Sequence, residues 1–333
     1  MNSVVAPGPS ELIVPATLMW DMIYRLPTDP TVETYSGRPE VYCDDVISAP
    51  GGKSRNIAVM AAHLGVAVSV LARTGGPYTQ EILAGLKEAG VKADSVMVNE
   101  DRSPGLADIS IILQGDRTPT PSTYSMLPEV AYNVGESKNF NPADIDASVA
   151  EIARSSVVAF ALDIPLDTAS HALYIANKLG KRTIVDLGGV SYGNDDSVHA
   201  VRELIKTGQP YLVKPNQQEA EFLTGISIDT PGLALFAARQ LVGLGAKNVL
   251  LSLGRRGAVL ANNSGQQLVY VPRELKGKAL SPIGAGDQML AAVITALLRK
   301  RSLLDAVKLG VRAGSLQAKK PGVRPLGSSE LMI

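Results

Sequence analysis

The chain is poor in the residues that form disulfides and zinc sites. Its 333 residues include one cysteine, Cys43, and three histidines that are scattered along the sequence. A single cysteine excludes an intramolecular disulfide and a cysteine-based metal cluster. With so few histidines we also expect no zinc site, because zinc in proteins depends mainly on nitrogen and sulfur ligands.

The sequence also lacks an excess of either charge and a long apolar run. Its 32 basic and 32 acidic residues balance, so net charge does not draw it to nucleic acid or to an acidic membrane surface. No uncharged apolar run reaches the length of about 18 residues that indicates a membrane span. Residues 1–10 lack the basic and apolar regions of a secretory signal. We therefore expect a cytoplasmic protein without a nucleic-acid or membrane partner.

Predicted strands and helices alternate along most of the chain. Hydrophobic residues make up 45% of the sequence, which is ample for a large core. Apolar patterns predict strands at 11–19, 67–74, 157–164, 183–187, 211–213 and 248–253. They predict helices at 54–64, 79–89, 168–179, 199–206, 217–223 and 232–244. Repeated strand–helix units predict an α/β fold with a parallel sheet, helices on both faces, and ligands beyond the carboxyl ends of the strands.

Two segments without helical periodicity interrupt this alternation. Residues 24–49 are rich in Pro, Asp and Thr, and residues 94–127 contain three short strand-like pieces, at 95–98, 109–113 and 123–126. We interpret both segments as a small β layer inserted into the α/β body, suited to be a lid. Residues 257–271 predict a hairpin that turns at Asn262, Asn263, Ser264 and Gly265.

The sequence from Ser281 to Asp287 is the first of five candidate sites. Gly284, Ala285 and Gly286 lead into an apolar helical run, and Asp287 lies in its first turn. The first N–H groups of a helix lack intrahelical partners and attract anions, and glycine lets a ligand approach closely. Asp287 is placed to take a proton from a hydroxyl group, as phosphoryl transfer to an alcohol requires. The alternative is an ordinary glycine turn before a helix.

Two further motifs are suited to a polyhydroxyl ligand. Gly51 and Gly52 permit close approach to the backbone before the helix at 54–64, and Asn56 offers both a donor and an acceptor. Lys53 supplies a point charge for a phosphate or carboxylate. Asp21, which we place at the end of the first strand, is able to accept two bonds from adjacent hydroxyls. The alternatives are a solvated turn and a polar strand exit.

Two motifs in the second half of the chain are suited to a nucleotide and its metal. Asn216 and Glu219 follow Lys214 and share one face of a helical turn, where they can hold Mg²⁺ through its water shell. The alternative there is a capping box. A second set of small residues, Ser252, Gly254 and Gly257, lies at the end of a strand and is able to admit phosphates or a flat ring. The alternative there is a tight turn.

Motifs of several other enzyme classes are missing from the sequence. It contains neither a G-x-S-x-G nucleophile elbow nor a G-x-x-x-x-G-K-[ST] phosphate loop. No G-x-G-x-x-G follows the first strand, which argues against a nicotinamide-dependent dehydrogenase.

The order and spacing of the five sites carry more information than any one of them. An early Asp, Gly-Gly…Asn, Lys-Pro-Asn-x-x-Glu, Ser-Leu-Gly-x-x-Gly and a late Gly-Ala-Gly-Asp follow one another over residues 11–322. In this the chain resembles the ribokinase/PfkB-type carbohydrate kinase family. The resemblance implies one ribokinase-like domain over residues 1–333, with a Rossmann-type body and a β lid formed by about 22–50 and 94–127. It also implies transfer of the ATP γ-phosphoryl group to a sugar or sugar phosphate.

The resemblance also implies a role for each motif residue. Asp287 corresponds to the catalytic base, and the N–H groups of Gly284, Ala285 and Gly286 correspond to the anion hole. The sugar-side residues are Asp21, Gly51, Gly52, Lys53 and Asn56. The nucleotide-side residues are Lys214, Asn216, Ser252, Gly254 and Gly257. Glu219, with Asn216, corresponds to the water-mediated Mg²⁺ site.

The chain departs from the family pattern at two places. Ser281-Pro282 stands where many members have Asp-Thr, and that Asp is associated with a monovalent cation, so potassium is not part of the expectation. Ser54-Arg55 follows Gly-Gly-Lys where Gly is usual. Two arginines of the lid-like region, Arg102 and Arg117, are candidates for a substrate phosphate or are simply solvated.

Two alternative functions and one question of assembly remain open at this stage. The first is a nucleoside kinase of the same fold, and the second is a catalytically silent binder of sugars or nucleotides. The third concerns assembly, because exposed lid edges predict a possible homodimer.

Overall fold

The computed structural model describes residues 9–26, 33–35, 38–40, 43, 45–103, 105–112, 130–262, 269–271, 283–320 and 323–331. Its strands are β1 (Leu12–Pro15), β2 (Met19–Leu26), β3 (Glu33–Tyr35), β4 (Arg38–Glu40), β5 (Asp45–Gly51), β6 (Val68–Thr74), β7 (Lys92–Val98), β8 (Gly105–Ile112), β9 (Val130–Asn133), β10 (Val157–Ala161), β11 (Arg182–Asp186), β12 (Leu212–Lys214), β13 (Asn248–Ser252), β14 (Ala258–Asn262) and β15 (Val269–Val271).

Its α-helices are α1 (Lys53–His63), α2 (Thr79–Glu88), α3 (Pro142–Ala147), α4 (Val149–Arg154), α5 (Leu166–Lys178), α6 (Asp195–Gly208), α7 (Gln217–Thr224), α8 (Pro231–Leu244), α9 (Ala285–Leu298), α10 (Leu303–Gln317) and α11 (Ser328–Leu331). Short 3-10 helices span Gly135–Asn139 and Gly254–Arg256.

A nine-stranded sheet forms the body of the molecule. Its strands lie in the order β15-β14-β13-β12-β11-β10-β1-β6-β7. The strands from β13 to β7 run parallel, and the β14–β15 hairpin extends the sheet in antiparallel fashion. Crossover helices between parallel strands cover the sheet. The predicted α/β class with a mostly parallel sheet is therefore confirmed.

Side chains of the central strands enter two cores, one on each face of the sheet. Leu12 and Val14 of β1 pack in the core beside α1, α9 and α10, whereas Ile13 packs in the core beside α5, α6 and α8. This alternation is the period of two expected for a strand that is buried on both faces. No helix in the described part of the chain is both long and apolar enough to cross a bilayer.

A separate four-stranded sheet, in the order β5-β2-β8-β9, lies apart from the body. Strand β2 pairs antiparallel with β5 and parallel with β8, and β8 pairs antiparallel with β9. Strands β3 and β4 form a hairpin of their own. The four-stranded sheet corresponds to the small β lid expected from the sequence.

The structure corrects the predicted first strand. Residues 11–19 were expected to form one strand, but the chain leaves the body sheet after Pro15 and enters the lid sheet at Met19. The apolar pattern runs through the break because residues 16–18 are themselves fully buried. The Thr17 hydroxyl donates to the carbonyl of Asp163 at 2.5 Å, which fixes the crossing to the body.

The lid boundaries also differ from the prediction. Residues 95–98, expected in the lid, belong to β7 at the edge of the body sheet. Strand β9 was not predicted, and the predicted strand at 123–126 lies outside the described residues, as does the turn of the 257–271 hairpin. Helices α3, α4 and α10 were also missed.

We expect the central strand to dominate the stability of the body. Leu12 is fully buried in β1, whereas Leu233 on α8 is 37% exposed. Leu12→Ala should cost about 2–5 kcal/mol of unfolding free energy, since it leaves a cavity. The matched change Leu233→Ala should cost less than about 0.5 kcal/mol. Urea denaturation of both variants measures the difference, and equal losses would contradict this assignment of the core.

Candidate active site

The N-termini of helices α1 and α9 converge on Asp287. Asp287 is 4% exposed and lies in the first turn of α9. The side-chain amide of Asn56 on α1 donates to its Oδ2 at 3.2 Å. Lys53 is the first residue of α1, and its Nζ atom is 3.5 Å from Oδ1 of Asp287. The two motifs that the sequence placed at separate helix starts therefore meet at one carboxylate.

Both helices begin at a glycine in the left-handed region of φ. Gly52 caps α1 with φ of 104°, and Gly284 caps α9 with φ of 72°. A side chain at Gly52 would collide with the backbone of the segment that leads into the lid, because its Cβ would lie 2.3 Å from the carbonyl oxygen of Thr17. Among the described residues no side chain caps α9, whereas in α1 the carboxylate of Asp163 accepts from the N–H of Ser54. The first N–H groups of α9 thus have no capping acceptor there, as an anion cradle requires.

Asp21 reaches this region from the lid. It is the third residue of β2, not the end of the first body strand as predicted, and it pairs in register with Ala49 of β5. Its carboxylate lies against Gly51, where a Cβ would come within 2.0 Å of the carboxylate atoms. Burial raises the pKa of Asp21 to about 7, although the charge of Arg55 opposes this shift.

Lys53 is the cation around which the carboxylates of the site are arranged. Its pKa is raised chiefly by Asp287, with further contributions from Asp186, Glu219 and Asp163 that outweigh the opposing effect of desolvation. Its side chain nevertheless keeps 40% of its surface exposed. Lys53 is therefore a charged group that a ligand can reach.

A buried ion pair lies beneath Lys53. The Lys214 ammonium is 2.6 Å from Asp186 Oδ2, and both side chains are almost fully buried. Burial opposes ionisation of Asp186, but Lys214, Lys53 and the backbone N–H of Gly188 together lower its pKa. Lys214 also lies close to the α9 N-terminus, since a Cβ at Gly286 would be 3.0 Å from its Nζ.

Asn216 and Glu219 form a complete capping box at the start of α7. Glu219 accepts from the backbone N–H and the side-chain amide of Asn216 at 2.8 and 2.7 Å, and its own N–H donates to Asn216 Oδ1 at 2.9 Å. Burial and the charge of Asp186 raise the pKa of Glu219. The capping alternative is thus realised, and the carboxylate retains lone pairs for a further partner.

The donors of this site fit a hydrated Mg²⁺ better than a closed metal cage. Among the described residues, no group of three or more His, Cys, Asp or Glu side chains has the arrangement of a metal centre. Mg²⁺ usually keeps several waters and takes only one or two carboxylates together with substrate phosphates. Glu219 supplies one carboxylate of this kind.

The Ser252 loop lies directly beside Asn216. These two residues form an isolated parallel bridge, and the N–H of Ser252 donates to the carbonyl of Pro215 at 3.0 Å. Gly254 and Gly257 have φ of 55° and 94° on either side of the 3-10 turn. The loop is therefore a tight turn, which is the alternative given for this motif in the sequence analysis. It lies at the same end of the sheet as Lys214.

The structure adds two carboxylates that the sequence analysis missed. Asp186 ends β11, and Asp163 follows β10 by two residues. Asp163 accepts from the N–H and hydroxyl of Ser54 at 3.1 and 2.5 Å, and burial raises its pKa to about 6. Both lie at the carboxyl ends of predicted parallel strands, where ligands bind in such sheets, but neither belongs to a recognisable motif.

The departures from the family pattern have different outcomes. The hydroxyl of Ser54 also accepts from the N–H of Ala161 at 2.9 Å, so it ties α1 to β10. Arg102 is exposed, and among the described residues it makes no contact with the site. Ser281, Pro282 and Arg117 lie outside the described residues.

We expect the buried pair to be sensitive to loss of one partner. Lys214→Met should lower the unfolding free energy by about 3–5 kcal/mol, because it leaves Asp186 buried without its cation. The double variant Lys214→Met/Asp186→Asn should recover most of this loss. Lys206→Met is the control, since Lys206 pairs with Glu203 at 3.2 Å on the surface. Chemical denaturation measures the unfolding free energy of each variant. A double variant no more stable than Lys214→Met would refute the pairing.

The chain is similar to known proteins along most of its length. The family model described as pfkB family carbohydrate kinase matches residues 22–329. The chain is 28% identical over 313 residues to ATP-dependent 6-phosphofructokinase isozyme 2 of Escherichia coli strain K12, covering 91% of this chain and 94% of that protein. It is 23% identical over 280 residues to ribokinase of Haemophilus influenzae, covering 83% of each.

Solved structures show the same fold. The structure of Arabidopsis thaliana ribokinase complexed with ribose and ATP matches with a TM-score of 0.79 at 21% identity, over 98% of both chains. The expected ribokinase-like fold is therefore confirmed. Since the family model spans most of the sequence, the chain belongs to the pfkB family of carbohydrate kinases, which are ATP-dependent phosphotransferases with a hydroxyl group as acceptor.

Proposed function

We propose that the chain transfers the γ-phosphoryl group of ATP to a hydroxyl of a sugar or sugar phosphate, with Asp287 as the general base. The observation that carries this proposal is the position of Asp287, at an uncapped helix N-terminus and in contact with both Lys53 and Asn56. A base beside an anion cradle is what transfer of a phosphoryl group to an alcohol requires.

The acceptor sugar lies between the lid and α1 in this proposal. Asp21 accepts hydrogen bonds from adjacent hydroxyls, and Asn56 fixes a further hydroxyl beside Asp287. Gly51 and Gly52 have no side chains, so the sugar ring is able to approach the backbone of this loop. As the reacting hydroxyl attacks, its proton moves to Asp287, whose geometry Asn56 maintains. Base catalysis of this kind is typically worth about 10²–10⁴-fold in rate.

The N-terminus of α9 stabilises the transferring group. The N–H groups of Gly284, Ala285 and Gly286 form the anion hole, and Lys53 contributes a mobile positive charge beside it. One such donor is typically worth about 10²–10³-fold in rate. Because the donors are fixed by the helix, they need no reorganisation when charge develops.

The nucleotide lies over the carboxyl ends of β12 and β13. Ser252, Gly254 and Gly257 border its binding loop, and Lys214 and Asn216 line its phosphate side. Glu219 and Asn216 would hold Mg²⁺ through its water shell. When bound, this ion neutralises charge on the phosphate oxygens.

Two structural expectations stay proposals alongside this function. The chain is expected to form one domain over residues 1–333. A homodimer is expected through the lid, where β5 and β9 are the edge strands of the four-stranded sheet.

We expect Asp287→Asn to lower kcat by about 10²–10⁴-fold, because the amide cannot accept the hydroxyl proton. Asp305→Asn is a matched control, since Asp305 lies in the first turn of the next helix, α10. The assay is ADP release over a panel of sugars, sugar phosphates and nucleosides. Equal turnover by Asp287→Asn and the unmodified chain would exclude Asp287 as the base. Saturable binding without turnover of any panel member would favour a silent binder.

The pKa of Asp21 predicts the pH dependence of substrate capture. Because its pKa is about 7, the carboxylate that accepts hydroxyl hydrogen bonds forms as the pH rises through this value. The value of kcat/KM should therefore increase between about pH 6 and pH 8, since it reports ionisations of the free enzyme. In Asp21→Asn this step should vanish at a uniformly low kcat/KM. A flat profile for the unmodified chain would contradict the assignment.

A further inference from the structure

Arg55 is a buried cation at the acceptor end of the site that forms no ion pair with any described residue. It is the third residue of α1 and is 9% exposed. Its Nη1 donates a long hydrogen bond of 3.4 Å to Asn56 Oδ1. Within the described part of the chain, its Nε has no hydrogen-bond partner, and no carboxylate forms an ion pair with it.

Neighbouring elements leave space for this guanidinium. A Cβ at Gly85 would lie 3.3 Å from Arg55 Nη2 and 3.6 Å from Pro50 Cγ. Gly85 is in the interior of α2, where glycine costs about 1 kcal/mol relative to alanine. Helix α2 thus has a glycine, which disfavours helix formation, at the position that lies next to the guanidinium of Arg55.

The guanidinium faces a large cleft between the lid and the body. The cleft has a volume of about 610 Å³, within the usual range for ligand sites. Asp21 and Asn56, which we assign to the acceptor, line the same cleft. Other charged or titratable groups that line it are Asp45, His63, Glu88 and Arg324. An acceptor that contacts Asp21 and Asn56 therefore lies within the space that Arg55 borders.

A buried guanidinium without a counter-charge is unfavourable, because burial disfavours charge that is not paired. Burial lowers the pKa of Arg55 to about 10, and the charge of Asp21 opposes this shift only in part. Asp21 is itself only partly ionised near pH 7. Among the described residues, the carboxylates that line the cleft thus form no direct ion pair with the Arg55 guanidinium.

We propose that Arg55 binds an oxyanion group, a phosphate or a carboxylate, carried by the acceptor substrate. This inference rests on the proposed function, because it places the oxyanion on the molecule whose hydroxyl faces Asp287. Guanidinium offers five N–H donors in a planar fork that matches the paired oxygens of such groups. A neutral sugar would leave the fork unpaired.

Asn56 connects the two ends of this arrangement. Its Oδ1 accepts from Arg55, and its Nδ2 donates to Asp287. One amide therefore sets the separation between the oxyanion subsite and the base. A substrate held at Arg55 is oriented with a hydroxyl group toward Asp287, so Arg55 determines specificity and does not touch the reacting oxygen.

The test compares neutral sugars with their charged counterparts. Isothermal titration measures binding of hexoses, hexose phosphates and hexonates, and ADP release measures turnover of the same compounds. The variants are Arg55→Met and Arg55→Lys, with Arg239→Met on the exposed surface of α8 as a control. Melting curves check that each variant is folded.

We expect the unmodified chain to bind a phosphate- or carboxylate-bearing sugar more tightly than its neutral parent. Arg55→Met should weaken that binding by about 10- to 100-fold, the loss of a charge-assisted contact, and raise KM more than it lowers kcat. Binding of the neutral parent should fall much less when it is measured above about pH 8, where Asp21 stays ionised without the charge of Arg55. Arg55→Lys should be intermediate because it keeps the charge without the fork. The phosphate and carboxylate arms identify which oxyanion is bound.

Equal binding of neutral and charged sugars by the unmodified chain would overturn the inference, even if Arg55→Met does not fold. A uniform loss for both in Arg55→Met would overturn it as well. Turnover of neutral sugars alone, dependent on Asp287, would preserve the proposed function and refute the Arg55 subsite. Binding of an oxyanion that depends on Arg55, without ADP release from any compound, would preserve the subsite and refute the kinase.

Discussion

The contact between helices α1 and α9 at Asp287 is the interaction on which the site depends. Lys53 and Asn56 reach this carboxylate from one helix, and the backbone of Gly284 and Gly286 surrounds it from the other. Both helices pack on the same face of the body sheet. The two sides of the site, to which we assign the acceptor and the phosphoryl group, are thus held together by the hydrophobic core.

Charge in the centre of the site is unevenly balanced. Two lysines, Lys53 and Lys214, meet a larger set of carboxylates, namely Asp163, Asp186, Glu219 and Asp287. The raised pKa values of Asp163 and Glu219 reflect this crowding together with burial. Asp186, with a lysine in direct contact, has its pKa lowered. Such an arrangement suits a site that takes up positive charge together with its nucleotide.

Sequence patterns predicted the body well because its strands and helices are local and strongly apolar. They failed where the signal is not local. Residues 11–19 read as one strand because Thr17 and its neighbours are buried at a crossing between two sheets. The motif residues were found through helix starts and glycines, whereas Asp163 and Asp186 were missed because single acidic residues at strand ends carry no pattern. Their importance appears only when parallel strands bring them to one edge.

The root of the lid has a mechanical consequence. The chain leaves the body at Thr17, just before β2, and returns to it at Gly52, just after β5, and these two residues are in close contact. Two of the four lid strands, β2 and β5, therefore join the body at one point. A rotation of the lid about this point would displace Asp21, four residues from Thr17, less than residues farther out on the lid. The carboxylate that we propose contacts the substrate thus belongs to the lid by connectivity, yet it lies beside the rigid body.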